Sequence, residues 1–157
     1  CRAAAVRPGK GPTSCAFGCM GLGTCGSVCP FHAMTIKNGL VVVDPDKCVG
    51  CGACVEQCPR NVLVLVPRKS KVNVSCNSPF KGPDVKKVCS VGCIGCTLCV
   101  KSCPVQAIEM KGALAEVDPA KCSNCGICAT KCPTKNITDR RTDEEKAASE
   151  TQKTDPL

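Results

Sequence analysis

The chain carries 19 cysteines among 157 residues, a formal net charge of +8, three phenylalanines and neither tryptophan nor tyrosine. So little bulky apolar material cannot fill an ordinary core, which leaves cysteine as the abundant residue able to occupy the interior. The positive charge does not mark a nucleic-acid binder, because the chain has no aromatic platforms on which bases could stack and its cysteines, once held by metal, are anionic.

The chain opens at Cys1 without a methionine and reads as a fragment or a processed product. No signal peptide is evident, and no run approaches ~18 consecutive apolar residues, so no membrane span is expected within it. The first cysteine loop, "SCAFGCMGLGTCGSVCP", runs from Ser14 to Pro30 and ends in Cys-Pro. A hairpin follows, with strands expected over 33–37 and 40–44 around Asn38-Gly39, the strongest two-residue hairpin signal. The second loop holds Cys48, Cys51, Cys54 and Cys58-Pro59 in C-x2-C-x2-C-x3-C-P spacing, with "GACVEQ" expected as a single helical turn. Apolar alternation in "NVLVLV" (61–66) and "KVNVSC" (71–76), on either side of the basic turn "PRKS", predicts two strands. Then come a third loop with Cys89, Cys93, Cys96, Cys99 and Cys103-Pro104, and a hairpin over 107–110 and 113–118 around Lys111-Gly112. A fourth loop holds Cys122, Cys125, Cys128 and Cys132-Pro133 and includes the helical turn "GICATK". From Thr138 the chain turns polar and charged and is expected to be disordered.

A shift of 74 positions lays the chain over itself. Eight cysteines of the first half, from Cys15 to Cys58, then fall on eight of the second, and Cys1 and Cys76 correspond one residue out of step. Cys96 alone has no partner, and it lies opposite Leu22. The expected organisation is therefore two units, 1–70 and 71–137, with a polar tail over 138–157. The expected fold class is α+β, a tandem pair of small domains whose C-x2-C-x2-C-x3-C-P spacing is that of bacterial 2[4Fe–4S] ferredoxin-like domains stabilised by their clusters.

The spacing decides between three uses of dense cysteine. A disulfide framework needs no such regularity. Structural zinc takes paired C-x2-C units or mixes Cys with His, and this chain has one histidine; a zinc-bound structural module is the reading of another class. Triplet-plus-one spacing ending in Cys-Pro belongs to iron–sulfur clusters, and the fourth cysteine of such a run ligates the other cluster of a two-cluster unit. That exchange predicts four [4Fe–4S] clusters. Cys48, Cys51 and Cys54 take Cys29. Cys93, Cys96 and Cys99 take Cys132. Cys122, Cys125 and Cys128 take Cys103. Cys19, Cys25 and Cys58 are then one thiolate short. Cys15 is the expected fourth ligand, Cys1 is its rival, and a three-ligand [3Fe–4S] cluster is the third possibility. Sixteen ligands leave Cys1, Cys76 and Cys89 over; Cys89, beside a cluster already complete, is expected to be a small buried hydrophobe rather than an unusual ligand. Four such sites add roughly −8 to the formal charge, since each core carries about +2 against four thiolates, which brings the loaded chain close to neutral.

Gly50, Gly52, Gly92, Gly95 and Gly126, beside the cysteines, are expected either to let backbone N–H groups approach cluster sulfides or to adopt positive φ. His32 has a counterpart in the other copy that coordinates nothing, so no ligand role is assigned to it. Arg68, Lys69, Lys71, Lys81, Lys86 and Lys87 form either a solvated face or a docking patch for an acidic redox partner. No GxGxxG or P-loop is present, so no direct nucleotide binding is expected.

The stretches "CRAAAVRPGKGPTSCAFGCMGLGTCGSVCPF", "KCVGCGACVEQCP", "KKVCSVGCIGCTLCVKSCP" and "KCSNCGICATKCPTK" resemble the B subunit of the Rnf complex, a membrane-bound, ion-translocating ferredoxin:NAD oxidoreductase. The resemblance covers about residues 1–137. It implies an electron-transfer subunit with no substrate chemistry of its own. Such a subunit takes electrons from soluble reduced ferredoxin and passes them to other subunits of the membrane complex. It also implies a place at the cytoplasmic face of the cell membrane, with the anchor on a segment absent from this chain. The alternative within the same chemistry is a polyferredoxin subunit of a hydrogenase or dehydrogenase.

Overall fold

The structure is a computed structural model that describes residues 1–6 and 14–143. The chain divides into two compact units, Cys1–Leu65 and Val66–Leu157. In the first, α1 (Arg2–Val6) precedes α2 (Thr24–Ser27), β1 (Met34–Lys37), β2 (Leu40–Val43) and α3 (Ala53–Gln57). In the second, β3 (Val72–Val74) and α4 (Gly82–Val88) lead into α5 (Leu98–Lys101), β4 (Ile108–Lys111), β5 (Leu114–Val117), α6 (Ile127–Lys131) and β6 (Ile137–Asp139). The recurring block is therefore helical turn, hairpin, helical turn, and each helical turn belongs to a cysteine loop.

Local chemistry explains the block. β1 and β2 pair antiparallel with Lys37 opposite Leu40, leaving Asn38 and Gly39 at φ 50° and 72°, the two left-handed residues of a type I′ turn. β4 and β5 pair with Lys111 opposite Leu114. The second turn is thus Gly112-Ala113, not the expected Lys111-Gly112. Gly112 alone has positive φ, 63°, the pattern of a II′ turn with glycine first. After each hairpin an aspartate closes the strand and begins the next loop. The Asp44 N–H donates to the Ala33 carbonyl and the Asp118 N–H to the Ala107 carbonyl, both at 2.8 Å. Each aspartate carboxylate then accepts from the N–H two residues on, Asp46 or Ala120.

The two expected strands beside the basic turn are not partners. Only 72–74 of the second run is strand, and it pairs antiparallel with β6, Val74 opposite Ile137. The 61–66 run forms no strand, and Val64 and Leu65 stand 73 % and 56 % exposed. Alternation specifies a pleated face but not which chain covers it. The polar tail also begins later than expected, because Thr138 and Asp139 belong to β6. The ladder continues where the Arg140 N–H donates to the Lys71 carbonyl, and Arg141 bonds Asp139 at 2.7 Å with both side chains largely buried. Thr138–Asp143 is hence part of the second unit, and the rest of the expected tail, 144–157, lies outside the described residues. The second unit's core gathers Val72, Cys99, Ile108, Ala115, Cys128 and Ile137, with Cys93, Cys103 and Cys132 packed against them, so sulfur does occupy the interior.

Candidate functional site

All nineteen cysteines are free thiols, and none is paired in a disulfide. Among the described residues no group of three or more Cys, His, Asp or Glu side chains converges on a single metal ion. The cysteines instead ring larger spaces. In the first unit, Cys29, Cys48, Cys51 and Cys54 line a cavity with Phe31, Met34 and Leu65. In the second unit, Cys93, Cys96, Cys99 and Cys132 line one with Val74, Met110 and Ile137. With the solvent at their mouths they hold about 360 and 350 Å³ of empty space. Both rings are those expected from spacing, with three sulfurs from one loop and one from the Cys-Pro of the other. Cys128 meets Cys125, Cys122 and Cys103 closely enough for all three to act on its thiol, which brings together the other expected group of the second unit.

A third cavity, of about 400 Å³, lies in the first unit and is lined by Cys19, Cys25, Cys58, Leu22 and Cys1. Cys15, the expected fourth ligand there, is not among its lining residues. The chain's spacing could not place Cys1, because the return of residue 1 to this loop is a tertiary fact.

The loops are built by one repeated device. After each Cys-Pro, the residue three beyond the cysteine turns left-handed: His32, Asn61, Gln106 and Lys135 at φ 48–51°. Its N–H donates to the cysteine carbonyl at 3.2–3.3 Å. The next N–H then faces the cysteine sulfur: Ala33 to Cys29 and Val62 to Cys58 at 3.4 Å, Ala107 to Cys103 and Asn136 to Cys132 at 3.3 Å. Such bonds favour the thiolate and tune a bound cluster. His32 thus serves as a turn residue. The four helical turns likewise start from left-handed residues, Gly23, Gly52, Thr97 and Gly126. Gly50, Gly52, Gly95 and Gly126 have positive φ as expected, but Gly92 does not, and a Cβ on it would lie 2.4 Å from Val85 Cγ1. Gly92 is there to let α4 pack. One glycine donor to sulfur is a residue the sequence did not single out: the Gly21 N–H faces Cys19 at 3.4 Å. In the basic run, Lys87 pairs with Asp84 at 3.0 Å.

Electrostatics fit a sulfur-binding site for metal. Burial pushes the Cys25, Cys54 and Cys99 thiols up, and Cys128 up to about 12, so these groups resist ionising without a cation beside them. Cys132 goes the other way. Burial acts to raise it, but the Thr134 hydroxyl and the N–H groups of Asn136, Thr134 and Ile137 together bring it down. Four soft thiols ringing an apolar cavity hundreds of cubic ångströms in volume, with N–H groups aimed at sulfur, suit a cubane better than zinc.

Fold and site together define a ferredoxin-type iron–sulfur protein. The 4Fe-4S dicluster domain family matches residues 92–136 and the 4Fe-4S binding domain family matches residues 41–64. More particularly, the chain is homologous to the B subunits of ion-translocating, Rnf-type complexes. It is 46 % identical over 123 residues to the B subunit of the Na(+)-translocating ferredoxin:NAD(+) oxidoreductase complex of Acetobacterium woodii, covering 78 % of this chain and 37 % of that protein. It is 51 % identical over 115 residues to the proton-translocating counterpart from Clostridium ljungdahlii, covering 73 % and 40 %. To the B subunit of the ion-translocating oxidoreductase complex of Methanosarcina acetivorans it is 48 % identical over 110 residues, covering 69 % and 42 %. The chain thus spans about two fifths of the length of the relatives it matches. Among the described residues no helix is long and apolar enough to cross a membrane.

Proposed function

We propose that this chain is the four-cluster relay of an Rnf-type B subunit. It takes electrons from reduced ferredoxin and hands them to partner subunits of a membrane-bound, ion-translocating ferredoxin:NAD oxidoreductase. When bound, each [4Fe–4S] cluster supplies reversible one-electron transfer. The observation that carries the reading is the three-plus-one ring of cysteines found around two cavities.

The chain's own residues hold and space the sites. Cys48, Cys51, Cys54 and Cys29 hold one cluster; Cys93, Cys96, Cys99 and Cys132 a second; Cys122, Cys125, Cys128 and Cys103 a third. Cys19, Cys25 and Cys58 contribute to the fourth. Cys54 on α3 lies close enough to Cys25 on α2 to act on its thiol, and Cys99 and Cys128 share the buried core of the second unit. The two sites of each unit are thereby neighbours, which short-range electron transfer requires. Val43, Met34 and Leu65 around one cavity, and Val74, Met110 and Ile137 around another, give the sulfurs apolar neighbours, while Cys51 and Cys96 stay exposed. The relay works at the cytoplasmic face of the membrane, attached through other parts of the subunit and its partners.

Iron and sulfide content of anaerobically purified protein tests this. About sixteen of each per chain is expected, together with loss of the broad visible absorbance when reduced ferredoxin is mixed in. A colourless protein holding zinc, or a coloured one that ferredoxin cannot reduce, would overturn it.

A further inference from the structure

Within that four-cluster reading, we propose that the thiolate of Cys1 is the fourth iron ligand of the site formed by Cys19, Cys25 and Cys58, and that Cys15 is a structural cysteine. Three observations converge. The first is the cavity itself. The two other cavities are each lined by four cysteines, and each set is a complete ligand ring. The third is also lined by four, Cys1, Cys19, Cys25 and Cys58, with Leu22 beside them where the second unit has Cys96.

The second is the anchoring of residue 1. The Cys1 backbone nitrogen donates to Thr24 Oγ1 at 2.8 Å, at the start of the helical turn that carries Cys25. Its carbonyl accepts from the Ala5 N–H at 2.9 Å and so opens α1. Arg2 Nη2 then reaches the Glu56 carbonyl on α3 at 3.3 Å. Cys1 is tied to both helical turns between which the site lies.

The third is what Cys15 does instead. Its carbonyl accepts from the Gly18 N–H at 3.3 Å, and its thiol folds back over that turn. A Cβ on Gly18 would lie 3.4 Å from Cys15 Cβ and 3.7 Å from its Sγ. Cys89 sits the same way over Gly92, at 3.5 Å for both atoms, although the cluster ring beside it is already complete. The repeat therefore assigns Cys15 and Cys89 one shared packing role. Arg60 Nη1 fastens the first of these turns by donating to the Cys15 and Gly18 carbonyls, each at 2.9 Å. The position vacated by Leu22 is made good from the start of the α1 segment, not from the neighbouring turn.

Anaerobically purified Cys1→Ser, Cys15→Ser and Cys1→Ser/Leu22→Cys variants test this, with iron content and electron paramagnetic resonance of the oxidised protein as readouts. Cys15→Ser is expected to keep the wild-type iron content and spectrum. Cys1→Ser is expected to lose between about one iron, with a [3Fe–4S] signal appearing, and about four. Leu22→Cys placed in Cys1→Ser is expected to restore the iron and remove the signal, which a merely misfolded variant would not allow. Iron loss in Cys15→Ser, an unchanged Cys1→Ser, or failure of Leu22→Cys to restore iron would each overturn the assignment. A wild-type chain with about sixteen irons and an unchanged Cys1→Ser overturns this inference alone, whereas a wild-type chain without iron overturns the four-cluster reading with it.

Discussion

Gly21 and Gly95 occupy equivalent places in the two units, yet alanine should be tolerated very differently at them. Both have left-handed backbones, φ 68° and 67°, so alanine costs about 1–2 kcal/mol at either. The surroundings differ. A Cβ at residue 21 would lie 2.3 Å from the Gly39 carbonyl oxygen and 2.8 Å from its carbon, in the tip of the β1–β2 turn. At residue 95 the nearest atom is the Ala113 carbonyl oxygen at 3.0 Å. Backbone must move in the first case, which adds about 1–3 kcal/mol, and needs only a slight shift in the second. Gly21→Ala should then cost about 2–5 kcal/mol in all and Gly95→Ala close to the lower bound. A domain of the first unit's size is stable by roughly 3–10 kcal/mol, at about 0.05–0.15 kcal/mol per residue. Gly21→Ala therefore consumes a large share, and it does so beside Cys19, whose sulfur the Gly21 N–H faces. The assay is anaerobic challenge with an iron chelator, following visible absorbance. Gly21→Ala should bleach in two phases, with about half the absorbance lost fast from the first unit, while Gly95→Ala tracks wild type closely. Equal rates for the two variants, or a single fast phase for Gly21→Ala, would refute the reasoning.

Thr97, at φ 60° where the first unit has Gly23, carries backbone strain for a β-branched residue. Thr97→Gly is expected to raise the melting temperature of the anaerobic holoprotein, by about 1 kcal/mol of stability. His32→Asn keeps the left-handed turn and should leave iron content and reducibility unchanged, whereas His32→Pro, which removes the N–H donated to the Cys29 carbonyl, should shed iron from the site containing Cys29. Stripping the iron should abolish far-ultraviolet circular dichroism, because ligation free energy replaces the missing apolar core. Reconstitution should follow pH in a defined sense. Burial favours the protonated thiols of Cys25, Cys54, Cys99 and Cys128, and iron must displace those protons, so apparent affinity should rise from pH 7 to pH 9 with measurable acid release; affinity falling over that range would contradict it.

The parts of this fold legible in the sequence are those set by residues close together in the chain. Asn38-Gly39 announces its hairpin because two successive left-handed residues have few other uses, and the Cys-Pro loops announce themselves by spacing. Gly112 is harder. One glycine can be first or second in a turn, and here it is first. The β3–β6 pair was invisible, and the return of Cys1 no more than an alternative, for a different reason. Val74 meets Ile137, and Cys1 meets Thr24, through contacts that no local pattern encodes. Thr138 and Asp139 look like tail because what holds them is main-chain hydrogen bonding and the Asp139–Arg141 pair, neither of which shows as apolar periodicity. The left-handed set at His32, Asn61, Gln106 and Lys135 was in plain view as the second residue after each Cys-Pro, but four different side chains disguised one backbone requirement.

In the four-cluster reading, the exchange of sulfurs between loops has a price under air. A cube attacked by oxygen releases thiols on both arms of its unit at once, and each arm also grips the neighbouring cube. Corrosion should therefore take both centres of a unit together, while the other unit goes on conducting until it is struck in turn.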